Sequence, residues 1–288
     1  MDQLAIAERR HLRRKLTFWR VAAIFIFCAA LLGSALYFSG GSESGQGEHI
    51  ARIEINGMIL DDSDQLERLN RIAKSEKVKG LIVSISSPGG TTYGGEKLFN
   101  AIRAVSEKKP VVSDIRTLAA SAGYMVAVAG DHVIAGETSI TGSIGVIFQY
   151  PQVKELMDKI GVSMEEIKSS ALKAEPSPFH TPPEEAKLMI ERMILDSYDW
   201  FVDLVADRRK LSREEVLKLS DGSIFTGRQA LQAKLIDELG GEDEIRSYFK
   251  SRGLSDDLRI VTWKAQENSM LGQLLLGKIA KLTGISTF

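Results

Sequence analysis

The sequence predicts an α/β domain with mainly parallel strands, carried behind a single membrane-spanning helix. Three observations lead there. Short apolar runs alternate with segments of helical spacing, Gly- and Pro-rich turns separate them, and an uncharged apolar run follows a basic N-terminus. The order strand, turn, helix, strand, turn, helix is the rhythm of parallel α/β units.

Arg9, Arg10, Arg13, Arg14, Lys15 and Arg20 crowd the start of the chain, and no residue from Val21 through Ser42 is charged. As a helix those 22 residues reach roughly 33 Å, about one hydrocarbon core. The basic flank predicts an N-terminus in the cytoplasm and the rest of the chain outside. Gly33, Ser34 and Ala35 would suit a signal-peptide cleavage site, but the run exceeds a usual h-region, which makes a retained anchor the expectation. The chain is therefore divided into a basic cytoplasmic segment (1–20), an anchor (21–40), a Gly/Ser-rich flexible linker (41–48), a folded domain (49–264) and a C-terminal amphipathic helix (265–288). Cys28, the only cysteine, lies in the apolar run, so the exported part has neither a disulfide nor a cysteine metal site. The net charge of −1 gives no reason to expect nucleic acid as a partner.

Within the domain, HIARIEI from His49 alternates as a strand, and Leu66, Leu69 and Ile72 give Ser63 to Ser75 a helical stripe. LIVSI (81–85) reads as a buried strand, SSPGG (86–90) as a turn, and Gly94 to Glu107 as a helix. Pro110 opens the strand VVSDI, which leads into TLAASAGYMVA (117–127), where a strand hands over to a short helix at Ser121. HVIA (132–135) and IGVIF (144–148) are expected strands on either side of the turn-rich ETSITGS. Thr181, Pro182, Pro183 and Glu184 predict a capping box with proline at the first helical position, opening a long helix to about Arg208. Its wide apolar face is suited to packing on a second subunit as well as its own core. Leu271, Leu275, Ile279 and Leu282 form the apolar face of the last helix, which either docks on the domain or meets the membrane surface.

Ser121 sits among alanines and a glycine, which let other backbone approach a side chain closely. If it attacks a carbonyl, a base must lie within hydrogen-bond reach. His11 and His49 are poorly placed for this; His132 and His180 remain as candidates. A lysine whose pKa is lowered by burial is the other possibility, and Lys173, in the non-helical SSALKAEPSPF among small and apolar neighbours, is the candidate. In SSPGG, Gly89 and Gly90 let amide N–H groups face a substrate, as an oxyanion hole requires. No pair of histidines has metal-ligand spacing, and the chain has neither a Walker lysine nor a G-x-G-x-x-G run.

Taken together, SSPGG, AASAGY around Ser121, TGSIGV around Ser143, Lys173 followed by SPF, and FTGRQALQAKLIDELGG (225–241) resemble the short, single-domain form of the signal peptide peptidase A family over roughly residues 50–239. Ala171 and Leu172 depart from the glycine and the aromatic or polar residue of that family's pattern. The resemblance implies a Clp/crotonase-like stack of ββα units and a serine-lysine endopeptidase that needs no metal or organic cofactor. It implies Ser121 as nucleophile, Lys173 as general base, Ser143 as the residue that orients the lysine, and the backbone at Gly89 and Gly90 as oxyanion hole. It also implies a homo-octameric ring in which neighbouring copies bring serine and lysine together. The domain would lie on the outer face of a bacterial cytoplasmic membrane and degrade signal peptides left there after preprotein cleavage. The alternatives are a same-clan protease of one particular membrane protein, and a catalytically silent scaffold or acyl-thioester-binding protein.

Overall fold

The computed structural model describes residues 2–39 and 47–264; the expected C-terminal helix lies outside them. The chain divides after Gly47 into two units. The first is one helix, α1 (Asp2–Ser39), running unbroken through the basic segment and the apolar run. Its stretch Lys15–Gly33 has a mean hydropathy of 2.0, long and apolar enough to cross a membrane.

The second unit begins with β1 (His49–Asn56), α2 (Ser63–Lys74), β2 (Val78–Ser87), α3 (Thr92–Ser106), β3 (Val111–Ala120), α4 (Ala122–Ala127), β4 (His132–Ala135) and β5 (Ile140–Gly142). It continues through α5 (Lys154–Ile160), α6 (Glu184–Arg209), α7 (Arg213–Lys218), β6 (Ile224–Thr226), α8 (Gly227–Gln232), β7 (Glu238–Leu239), α9 (Glu242–Ser251) and β8 (Arg259–Thr262). The strands form one mixed sheet in the order β6-β5-β3-β2-β1-β8, and β4 pairs with β3 and β7 beside that path. All pairings but β5 with β6 are parallel. Each βα unit therefore returns to the sheet in the same sense and delivers its turn to the C-terminal edge, where α/β sheets place their sites.

Local sequence explains the helix starts. Asp62 accepts the Gln65 N–H at 3.0 Å, and Thr91 accepts that of Gly94 at 3.1 Å, each satisfying an orphan donor of the first turn. Apolar residues cover both faces of the central strands. Ile53, Leu81, Val83 and Ile115 pack under the helices α2 to α4, while Ile82, Val112 and Ile134 pack under Ile245 and Phe249 of α9. This two-sided burial is why these strands read as apolar runs.

Two expectations are corrected. IGVIF is not a strand: residues 144–148 have no regular structure, and Ile147 is 77% exposed. The strand is the preceding Ile140–Gly142, and Ser143, at φ +50°, turns the chain off the sheet before IGVIF can extend it. The Thr181 capping box does not form either, because α6 begins at Glu184 with Pro183 as its N-cap and no side-chain cap bond. A residue preceding proline is pushed out of the helical region, so Pro183 holds Pro182 extended and the helix cannot start earlier.

Candidate active site

At the C-terminal end of β3 the chain makes a sharp turn into α4, and Ser121 is the turning residue, with φ +53° and ψ −122°. A non-glycine residue in this region is strained, and such strain concentrates at functional sites. The Ser121 N–H donates to the Gly142 carbonyl at 2.9 Å, and its carbonyl accepts from Tyr124 and Met125. The hydroxyl makes no cap bond to α4. Tyr124, fully buried, fixes α4 from below by donating its hydroxyl to the Leu235 carbonyl at 2.8 Å, and burial pushes that phenol well above its usual range.

Register puts the second serine beside the first. Ala120 pairs with Gly142 across β3 and β5, so Ser121 and Ser143 are the next residues beyond the ends of these adjacent strands, both at positive φ. The SSPGG turn closes the third side. A Cβ on Gly89 would stand 2.9 Å from the Ser121 Cβ, and one on Gly90 only 1.9 Å from the Ile59 carbonyl oxygen, so both glycines are required by close approach. The Gly89 N–H donates to the Ser87 hydroxyl at 3.1 Å. The N–H groups of Gly90 and of Ala122, the first residue of α4, have no acceptor among the described residues. Spacing alone gave no reason to prefer these two donors over Gly89, although Ala122 directly follows the serine.

Ser121, Ser143, Gly89 and Gly90 line one cleft of about 870 Å³. Its apolar walls come from Met58, Met125, Ile147, Leu195, Tyr198 and Phe201. The sequence offered no local signal for Met58 or Ile147; only the fold brings them there. Lys173 does not line this cleft and is exposed. It lies in a turn closed by its own N–H donating to Ser170 (3.1 Å) and by that of Glu175 donating to Leu172 (3.3 Å). The turn belongs to an arm, residues 151–180, that shows solvent Leu156, Ile160, Val162, Met164 and Ile167.

The arm holds another lysine of interest, Lys168, that the sequence reading passed over. The Lys168 ammonium lies 2.6 Å from Glu175 and 2.5 Å from Glu166, and their carboxylates raise its pKa, so it stays protonated. Lys168 in turn holds both carboxyls below the usual carboxylate range. Glu166, Glu175 and His180 converge closely enough to ligate a cation, but the Lys168 ammonium already bridges the two carboxylates and offsets one of their two charges.

None of the histidines in the folded domain lines the cleft. His132 begins β4 opposite Val112, nine residues before Ser121 along β3, which at strand rise is on the order of 30 Å away. It is occupied by Glu238 at 3.0 Å and stacked on Tyr248. His180 faces Glu175 at 3.2 Å, and His49 is buried against Trp263.

The sequence profile of peptidase family S49 matches residues 103–252, which contain Ser121, Ser143 and Lys173. The chain belongs to peptidase family S49. A protein of Enterococcus faecium provisionally named signal peptide peptidase SppA is 31% identical over 84% of this chain and 75% of its own. One of Methanocaldococcus jannaschii provisionally named a protease is 31% identical over 86% of each chain. The solved structure of a mutant membrane-bound stomatin-specific protease matches with a TM-score of 0.50 and 17% identity, over 76% of this chain and 99% of that one. That likeness shows the Clp/crotonase-like fold. In this S49 peptidase the Arg209 guanidinium makes a two-pronged bond to Asp237 at 2.7 and 3.0 Å, and Asp237 also accepts the Val133 N–H. Burial alone would raise the Asp237 carboxyl, but Arg209 outweighs it and holds the group below its ordinary value.

Proposed function

We propose that this peptidase is a membrane-anchored serine endopeptidase with a Ser121–Lys173 dyad, acting on signal peptides left in the membrane after preprotein cleavage. One observation carries the reading. The Ser121 hydroxyl stands at a strained turn in an apolar cleft beside two N–H groups without an acceptor among the described residues, while Lys173 lies outside that cleft on an arm rich in exposed apolar side chains. A serine and a base that do not meet in one chain meet between two. Leu156, Ile160 and Ile167 of the arm, with Met193 and Leu195 of α6, supply the surface a second copy would cover, as in a closed homo-octameric ring. Such cover would also shield the Lys173 amine from water.

The chemistry is acyl transfer. The Lys173 amine takes the Ser121 proton as the oxygen attacks the scissile carbonyl, with Ser143 hydrogen-bonding the amine. The N–H groups of Gly90 and Ala122 receive the oxyanion, and Gly89 supplies the room for the turn. Lysinium then protonates the leaving amine, and water, deprotonated by the same lysine, releases the acyl group. The apolar walls suit the small and apolar side chains of a signal peptide's core. An extended substrate would pair its main chain along the cleft.

The test is hydrolysis of a synthetic signal peptide by wild type, Ser121→Ala, Lys173→Ala and an equimolar mixture of the two variants. Each variant alone is expected to lose at least about a thousandfold in kcat, and the mixture to regain activity. Full activity in Lys173→Ala would overturn the dyad. Cleavage of a single intact membrane protein, with signal peptides left uncut, would favour the same-clan alternative.

A further inference from the structure

The arm that carries Lys173 is unusual in what fills its interior. Across residues 151–180 the one buried residue is Ser177, and α5 buries nothing. In place of an apolar core the arm has a knot of charged and polar groups. The Glu175 side chain is 2% exposed, accepts from Lys168 at 2.6 Å and from the Ser177 N–H at 3.1 Å, and faces His180 at 3.2 Å. Glu166 accepts from the Ser177 hydroxyl at 3.3 Å and stands 3.6 Å from His180. Gln152 reaches across to the carbonyls of Ser177 and His180 at 3.2 and 2.9 Å.

Glu175 follows Lys173 by two residues and ends its turn, with Ala174 between them at φ +63°. A carboxylate removed from water to this degree is expensive, and a buried ion pair rarely repays that cost in stability. Its better-attested use is to specify one geometry among several. An arm without an apolar core needs such a device, because exposed loops otherwise sample many conformations. The base must also be held within a fraction of an ångström of its working position.

We propose that Glu175, clamped by Lys168, is a positioning residue that fixes the turn carrying Lys173 and so sets the reach of its amine toward Ser121. The proposal rests on the dyad reading above. It assigns the Glu166–Lys168–Glu175–His180 knot a role in the rate of the chemical step and none in binding substrate, since none of its members lines the cleft.

The test uses the full chain in detergent with a synthetic signal peptide. Glu175→Gln and Lys168→Met are each expected to lower kcat tenfold to a hundredfold with KM within twofold of wild type, and Lys168→Arg to recover most of the loss. Because the two side chains act as a pair, the double variant should lose no more than the worse single one. Placement separates positioning from general support of the fold. In mixtures of Ser121→Ala with Lys173→Ala chains, Glu175→Gln should slow turnover when carried by the chain with intact Lys173 and have no effect on the chain with intact Ser121. Equal loss in both placements, a rise in KM matching the fall in kcat, or a kcat within twofold of wild type for Glu175→Gln would each overturn the proposal. Failure of the dyad reading looks different: Lys173→Ala would itself stay active.

Discussion

Replacing Ser121 by glycine separates the cost of its backbone from the use of its hydroxyl. At φ +53° and ψ −122° the residue lies outside the favoured basins, a conformation that costs a non-glycine residue about 1–3 kcal/mol. Glycine removes that strain but returns roughly 0.5–1 kcal/mol through the greater freedom of the unfolded chain, and the lost Cβ of this partly buried residue costs about 0.4 kcal/mol. Against Ser121→Ala, which keeps the strain, Ser121→Gly should therefore be more stable by about 1 kcal/mol. In a domain of this size that is roughly 2–4 °C in Tm. Urea and thermal unfolding of the two variants at one protein concentration measure it, and both lack the hydroxyl, so self-digestion does not enter. An alanine variant as stable as the glycine variant, or more so, would show that the turn holds no strain worth relieving.

Other perturbations follow from the same geometry. Gly90→Ala would drive a Cβ into the Ile59 carbonyl and should cost about 2 kcal/mol, whereas Gly145→Ala, whose added carbon would meet nothing nearer than the Gly222 Cα at 3.9 Å, should stay within about 0.5 kcal/mol; thermal unfolding compares them. Asp237→Asn leaves Arg209 without its charged partner and should cost about 2 kcal/mol at neutral pH. The folded Asp237 carboxyl is held below its unfolded value, so this stability is present above about pH 4 and fades as the pH falls further. Melting curves of wild type and variant should therefore converge in acid, and a gap that persists there would assign the loss to packing. Met193→Glu, on an exposed face of α6, should leave the secondary structure by circular dichroism unchanged while lowering the assembled mass in light scattering and abolishing peptide hydrolysis.

Much of the fold was legible because its signals are local. The apolar runs at 81–85 and 111–115 are strands, and the stripe of Leu66, Leu69 and Ile72 is a helix face. IGVIF misled because its composition is that of a strand, while the residue that turns it off the sheet, Ser143, has a positive φ that composition does not reveal. The capping box misled for a neighbouring reason: two prolines in a row shift the helix start past the threonine that would have capped it.

The sequence by itself singled out Ser121, Ser143, Lys173 and the SSPGG turn as candidates, because each stands in a short motif of small residues or prolines rather than on a periodic helix or strand face. It determined the alternation of strands and helices as well, since burial on one or both faces writes its period directly into the chain. Only the tertiary structure decided that Ser121 and Ser143 are neighbours, that Gly90 and Ala122 rather than Gly89 have N–H groups without an acceptor among the described residues, and that Lys173 stands outside the cleft on an arm organised around Lys168 and Glu175. These facts depend on strand register, on a backbone turn with positive φ and on pairings between residues far apart or on a coreless arm. None of them leaves a periodic trace in the sequence, because each is fixed by what the folded chain brings into contact.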